Sequence, residues 1–118
     1  MNTNKTKVLT TTCNELVGYR VIQQLGIVQG IVVRSPNIAQ GFLGSLKMIV
    51  GGRNQAYTRV CEKAREEALH AVIAHAEEGG ANALLAVRYD ATEFLPGVTE
   101  VIAYGTAVIV QPLIRDEL

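Results

Sequence analysis

The apolar positions change rhythm along the chain, and the changes mark out its elements. Val8 to Thr12 is a short β-prone run, and Asn14 to Gly18 reads as a turn. Tyr19 to Arg34 is rich in Val and Ile and is interrupted only by Gly26 and Gly30. As one strand it would be about 53 Å long at ~3.3 Å per residue, too long for a domain of this size. The two glycines are therefore where it is expected to bend or bulge. Its apolar residues fall on both faces, with Ile22, Val28 and Val32 on one and Val21, Leu25, Ile27 and Ile31 on the other. Such a strand needs cover on both sides.

Ser35-Pro36-Asn37 marks a loop. Phe42, Leu43, Leu46, Ile49 and Val50 then share one side of a short helix, which Gly51-Gly52 ends. A long helix follows, with Asn54 as its N-cap and Gly79-Gly80 as its stop. At about 100° per residue, Tyr57, Val60, Cys61, Ala64, Ala68, Ala71 and Val72 form one stripe on it. The alanines let this stripe lie close to a sheet, which also predicts a buried Cys61. Arg59, Glu62, Lys63, Glu66, His70 and Glu77 lie opposite, with a Lys63–Glu67 pair one turn apart. Leu69, Ile73 and Ala76 widen the apolar arc beyond one sheet contact, and the excess is expected to meet another subunit.

Ala83–Phe94 reads as a strand, Pro96-Gly97 as a turn and Glu100–Val110 as the closing strand of a hairpin. A two-residue loop would set Glu93 opposite Glu100, so a wider loop is expected. The order of elements predicts an α+β domain: an antiparallel β-sheet with one short and one long helix packed on one face. The other face then lacks a cover from its own chain. Residues 1–7 read as a flexible tail, 8–112 as a single domain and 113–118 as a second tail.

Composition adds limits. Hydrophobic residues make up 48% of the 118-residue chain and charged residues 19%, which predicts one globular domain with a real core. A formal net charge of zero gives no electrostatic reason to expect nucleic acid or an anionic membrane surface. No segment reaches the roughly 18–20 apolar residues of a membrane-spanning helix. The polar start, Met1 to Lys7, is unlike a secretory signal, so Arg115-Asp116-Glu117-Leu118 is taken as a chance likeness to a retrieval signal. Two cysteines without a spaced framework fit a reducing cytoplasm.

The residues with candidate chemistry are few. A soft-metal site needs two to four converging Cys or His donors, and the chain offers Cys13, Cys61, His70 and His75. On the long helix His70 lies nearly opposite Cys61, and His75 lies ~21 Å further along the axis. These three cannot share an ion within one chain. His70 is expected to be solvated near Glu66, and His75 to be a hydrogen-bonded core or interface residue. That leaves Cys13 as the weak metal candidate, through a ring of thiols about a symmetry axis. Gly51-Gly52-Arg53 could hold an anion at a helix start, although a helix–helix turn is the ordinary reading. Arg88, Asp90 and Thr92 share one side of a strand, with Thr106 expected across from them, and read as a polar ladder. No nucleophile has an evident base and orienter, so no catalytic residue is assigned.

Four blocks carry a family resemblance: Ile49-Val50-Gly51-Gly52-Arg53, Lys63-Ala64-Arg65-Glu66-Glu67-Ala68, Gly80-Ala81-Asn82-Ala83 and Gly105-Thr106-Ala107-Val108. Together with Leu25 to Gly30 they resemble the YbjQ-like family over about Thr10 to Val110. The resemblance implies a dodecin-like subunit fold, a homopentamer and a heavy-metal-binding label without an agreed ligand motif. The short helix departs from the family in carrying Gln40, Gly41, Gly44, Ser45 and Met48 where relatives have charges. Cys13 and Cys61 are not signature positions. The expected function is a ring-forming module that binds a heavy-metal ion or small ligand between subunits, without enzymatic activity. A dodecin-like cofactor carrier and an enzyme with an intersubunit site are the alternatives.

Overall fold

A computed structural model describes residues 8–34 and 53–114. Its elements are β1 (Leu9–Thr10), β2 (Tyr19–Arg34), α1 (Arg53–Glu78), β3 (Ala83–Leu95) and β4 (Val98–Pro112). They form a four-stranded sheet in the order β1-β3-β4-β2, with α1 packed mainly across β2 and β4. The α+β class is as expected. The sheet is mixed, however, because β1 joins parallel to β3 through Leu9↔Ala83 and Thr10↔Leu84. Both strands are long enough in sequence from each other for the crossover that a parallel pair requires. The short helix at 42–50, the anion-binding turn at Gly51-Gly52-Arg53 and the tail at 1–7 lie outside the described residues, as does the Asn54 side chain.

β2 runs as one strand of 16 residues despite a length that argues against a single straight strand. Two register shifts against β4 interrupt its ladder, between Val21 and Gln23 and between Gln24 and Gly26, and the second is the expected bulge at Gly26, whose φ is 110°. Gly30 has a different use from a bend. A Cβ there would lie 2.3 Å from the Val72 backbone nitrogen and 2.6 Å from the Ala68 carbonyl oxygen, so the residue is bare to let α1 touch the strand.

The stripe on α1 is narrower than its pattern suggests. Ala64, Ala68, Val72 and Ala76 are buried at four-residue intervals, facing Leu84, Val87, Val101, Ala103 and Ala107 of the sheet. Complete burial of Val72 and Leu84 is worth about 1.5–3 kcal/mol each. Leu69 and Ile73 pack half-buried against this same core, and Ala76 is fully buried. The arc expected to meet a second subunit is therefore used within the chain. Cys61 is exposed rather than buried. Among the described residues the buried line of the helix begins at Ala64, one turn further along than Cys61.

The β3–β4 hairpin has a two-residue Pro96-Gly97 loop, since Leu95 pairs with Val98, and Gly97 has a φ of 76°. The expected wider loop is unnecessary because a register shift after Glu93 sets that residue opposite Thr99, and Thr92 opposite Glu100. Glu93 also accepts a hydrogen bond from the Gly97 N–H at 2.8 Å, which moves its charge into the turn.

Candidate functional site

The side of the sheet away from α1 carries an exposed surface and the candidate polar row of Arg88, Asp90 and Thr92. The buried helix-facing positions of β4 are Val101, Ala103 and Ala107, so alternation turns Glu100, Ile102, Tyr104 and Thr106 to the far side. Register adds their neighbours in rows: Val33–Glu100–Thr92, Ile31–Ile102–Asp90, Gln29–Tyr104–Arg88 and Ile27–Thr106–Leu85. The β2 half of this face is apolar and bare, with Ile27 80%, Ile31 43% and Tyr104 37% exposed. The β3 half carries Arg88, Asp90 and Thr92, all exposed.

The far face does have a cover of its own at one end. Ala83, Leu85, Val108 and Val110 form a second buried cluster beneath Leu16 and Tyr19. The expectation of a wholly uncovered face is thus corrected to a face covered at one end and bare at the other. Thr106 also departs from expectation. An extra residue on β3 between Leu85 and Arg88 places it across from Leu85, while Arg88 faces Tyr104.

Cys13 lies in the segment that follows β1, beside that irregularity. Its carbonyl accepts the Ala86 N–H at 2.8 Å and its N–H donates to Thr11 Oγ1 at 3.0 Å, while its thiol is exposed. Arg88 Nη1 donates to the Thr12 carbonyl at 2.9 Å and so ties this segment down. His70 is exposed on α1. His75 is exposed too, with Nδ1 2.6 Å from the Gln29 carbonyl oxygen, so it is hydrogen-bonded at the sheet edge rather than within the core. Among the described residues no three His, Cys, Asp or Glu side chains come together as a metal-binding group.

Two residues of the signature blocks have plain structural roles. Asn82 donates from Nδ2 to the Val110 carbonyl at 2.9 Å and accepts the Val110 N–H on Oδ1 at 2.8 Å, imitating a strand pair where β3 begins. A Cβ on Gly105 would lie 2.8 Å from the Leu85 carbonyl oxygen, so only glycine lets β3 pass there.

The family model YbjQ_1, described as "Putative heavy-metal-binding", matches residues 8–111. The chain belongs to the YbjQ family. A UPF0145 protein of Legionella pneumophila strain Lens is 52% identical over 103 residues, covering 87% of this chain and 98% of that one. Another, from Chromobacterium violaceum, is 48% identical over 109 residues, covering 92% and 93%. A solved structure of a protein of unknown function in the DUF74 family, from Pediococcus pentosaceus, has a TM-score of 0.58 at 14% identity, covering 88% of this chain and 98% of its own. At that identity the likeness concerns the fold alone. Within this YbjQ chain, the signature residues Asn82, Ala64, Ala68 and Gly105 hold the sheet and helix together, and none of them offers a ligand atom to an exposed surface.

Proposed function

We propose that this YbjQ protein is one subunit of a closed homo-oligomer, a pentamer by family resemblance, that binds a heavy-metal ion or another small ligand between subunits and is not an enzyme. The observation that carries this reading is the bare apolar half of the far face, with Ile27, Ile31, Val33 and Tyr104 exposed on one long strand pair. A contiguous apolar surface of this kind is characteristic of an interaction site. The family description supports the choice of a metal. Among the described residues no three metal-binding side chains converge in one chain, so a site built from them draws on more than one subunit. Cys13 is the thiol proposed to contribute, because it is exposed beside the tethered end of β3. The two cysteines are free, which agrees with a reducing cytoplasmic setting.

Native mass spectrometry of untreated protein tests the reading directly. The expected result is a multiple of the 12.7 kDa chain mass, with metal that is lost on chelation or in Cys13→Ser. A stable monomer holding one tightly bound ion would overturn it.

A further inference from the structure

We propose that His75 and Asp90 are edge guards, which close the two sheet edges left open among the described residues to strand addition by a second copy of this chain. This goes beyond the proposed oligomer and holds whether or not that oligomer forms.

The hydrogen-bonding phase of β4 fixes which backbone groups face outward. The Asn82 N–H donates to the Val108 carbonyl, and the Asn82 side chain bonds both backbone groups of Val110, so even-numbered residues of β4 point toward β3. In an antiparallel ladder the odd-numbered ones then point toward β2. Their partners are Val28, Gly30, Val32 and Arg34, which leaves Ile27, Gln29, Ile31 and Val33 with backbone groups turned to the open edge of β2. On the opposite side, Arg88, Asp90 and Thr92 bond to β4, and Tyr89, Ala91 and Glu93 turn outward. Among the described residues, β1 and the segment after it bond β3 as far as Val87, which leaves Tyr89 to Glu93 as an edge.

Each outward row is stopped near its middle by a side chain. His75 reaches from α1 to the Gln29 carbonyl oxygen at 2.6 Å. The Asp90 carboxylate turns back to accept the Ala91 N–H at 2.9 Å. A strand arriving at either edge needs an unbroken run of donors and acceptors. It would have to displace these side chains to obtain one. The need for a guard is plain, since Ile27, Ile31 and Val33 combine outward backbone groups with exposed apolar side chains, the pattern that invites edge-to-edge pairing. Asp90 adds a charge that an incoming strand would have to bury.

The test compares the full-length parent with His75→Ala/Asp90→Ala by thioflavin T fluorescence and light scattering at high protein concentration. Both residues are exposed, so the core stays untouched. Open-ended, thioflavin-positive assembly about tenfold faster than in the parent is expected, comparable to the loss of one hydrogen bond. His75→Ala/Asp90→Asn removes the same charge but keeps the Oδ1 acceptor, and should assemble more slowly than the double alanine variant. A closed ring present in the parent serves only as the starting size. If the double variant stays folded by circular dichroism and assembles no faster than the parent, the proposal fails. Amide exchange gives a second reading that needs no variant to fold: the Ala91 N–H should be protected in the parent. Exchange there as fast as in an unstructured peptide would overturn the proposal.

Discussion

Ala86 has a φ of 56°, in the left-handed region that side chains with a Cβ rarely adopt. It sits in the irregularity between Leu85 and Arg88, where its N–H turns away from β4 to meet the Cys13 carbonyl. The strain therefore anchors the segment that carries the candidate thiol. Ala86→Gly should relieve it and raise stability by about 1 kcal/mol, read from the midpoint of urea unfolding. Gly30 has the opposite constraint. Its missing side chain leaves room for the backbone of Val72 and Ala68, neither of which can yield without moving α1. Gly30→Ala should cost about 1–3 kcal/mol by overpacking, and an unchanged melting temperature would refute the close contact.

At the scale of the elements, α1 depends on a narrow line of small residues. Ala64, Ala68, Val72 and Ala76 drift only ~40° per four-residue step, so the line stays over β2 and β4 for more than three turns. Ala68→Leu should cost ~1–3 kcal/mol in thermal unfolding, because Ala68 is fully buried against the strand that carries Gly30. The charged side of the helix contributes little by comparison. Lys63 and Glu67 approach at 3.9 Å and are well exposed, a geometry that typically yields less than about 1 kcal/mol. The Arg34–Glu67 pair has more to do with position, since it joins the end of β2 to the second turn of the buried line. Arg65 lies 5.8 Å from the centre of the Tyr89 ring and links the helix to β3 in the same way.

At the scale of the molecule, the bare half of the far face is the surface on which the proposed assembly rests. If the proposed oligomer forms through this face, Ile31→Lys should reduce it to a single chain by light scattering while leaving the unfolding temperature of that chain nearly unchanged. The reason is that Ile31 is exposed within the chain, so a lysine there disturbs only what docks on it. If the variant assembles as the parent does, this face is not the interface. Chelation of the untreated protein gives the corresponding measurement for the ligand. On the proposed reading metal should leave with little change in the secondary structure, because the core of Ala68, Val72, Leu84 and Val108 is built of apolar side chains.

The one-dimensional pattern carried the local structure. Tyr19–Arg34 as a continuous apolar run, the alanine line of α1 and the Pro96-Gly97 turn follow from side-chain periodicity and backbone preference, which neighbouring residues settle among themselves. Likewise legible was the inability of Cys61, His70 and His75 to share an ion, since helix geometry alone separates them. Register was decided elsewhere. The extra residue between Leu85 and Arg88 moves Thr106 away from the polar row, and the shift after Glu93 permits the tight hairpin. A single inserted residue leaves the apolar pattern on either side intact, so nothing in the sequence announces it. Burial of Cys61 was not legible for a similar reason: periodicity gives a residue's direction around the helix, but not how far along the axis the buried line runs, and among the described residues it begins at Ala64. Leu69 and Ile73 turned inward, and Leu16 and Tyr19 covered one end of the far face, because the strands beneath them run where they do. The bonds from His75 to Gln29 and from Asp90 to Ala91 depend on which strand lies at each edge, and strand order exists only once the chain has folded.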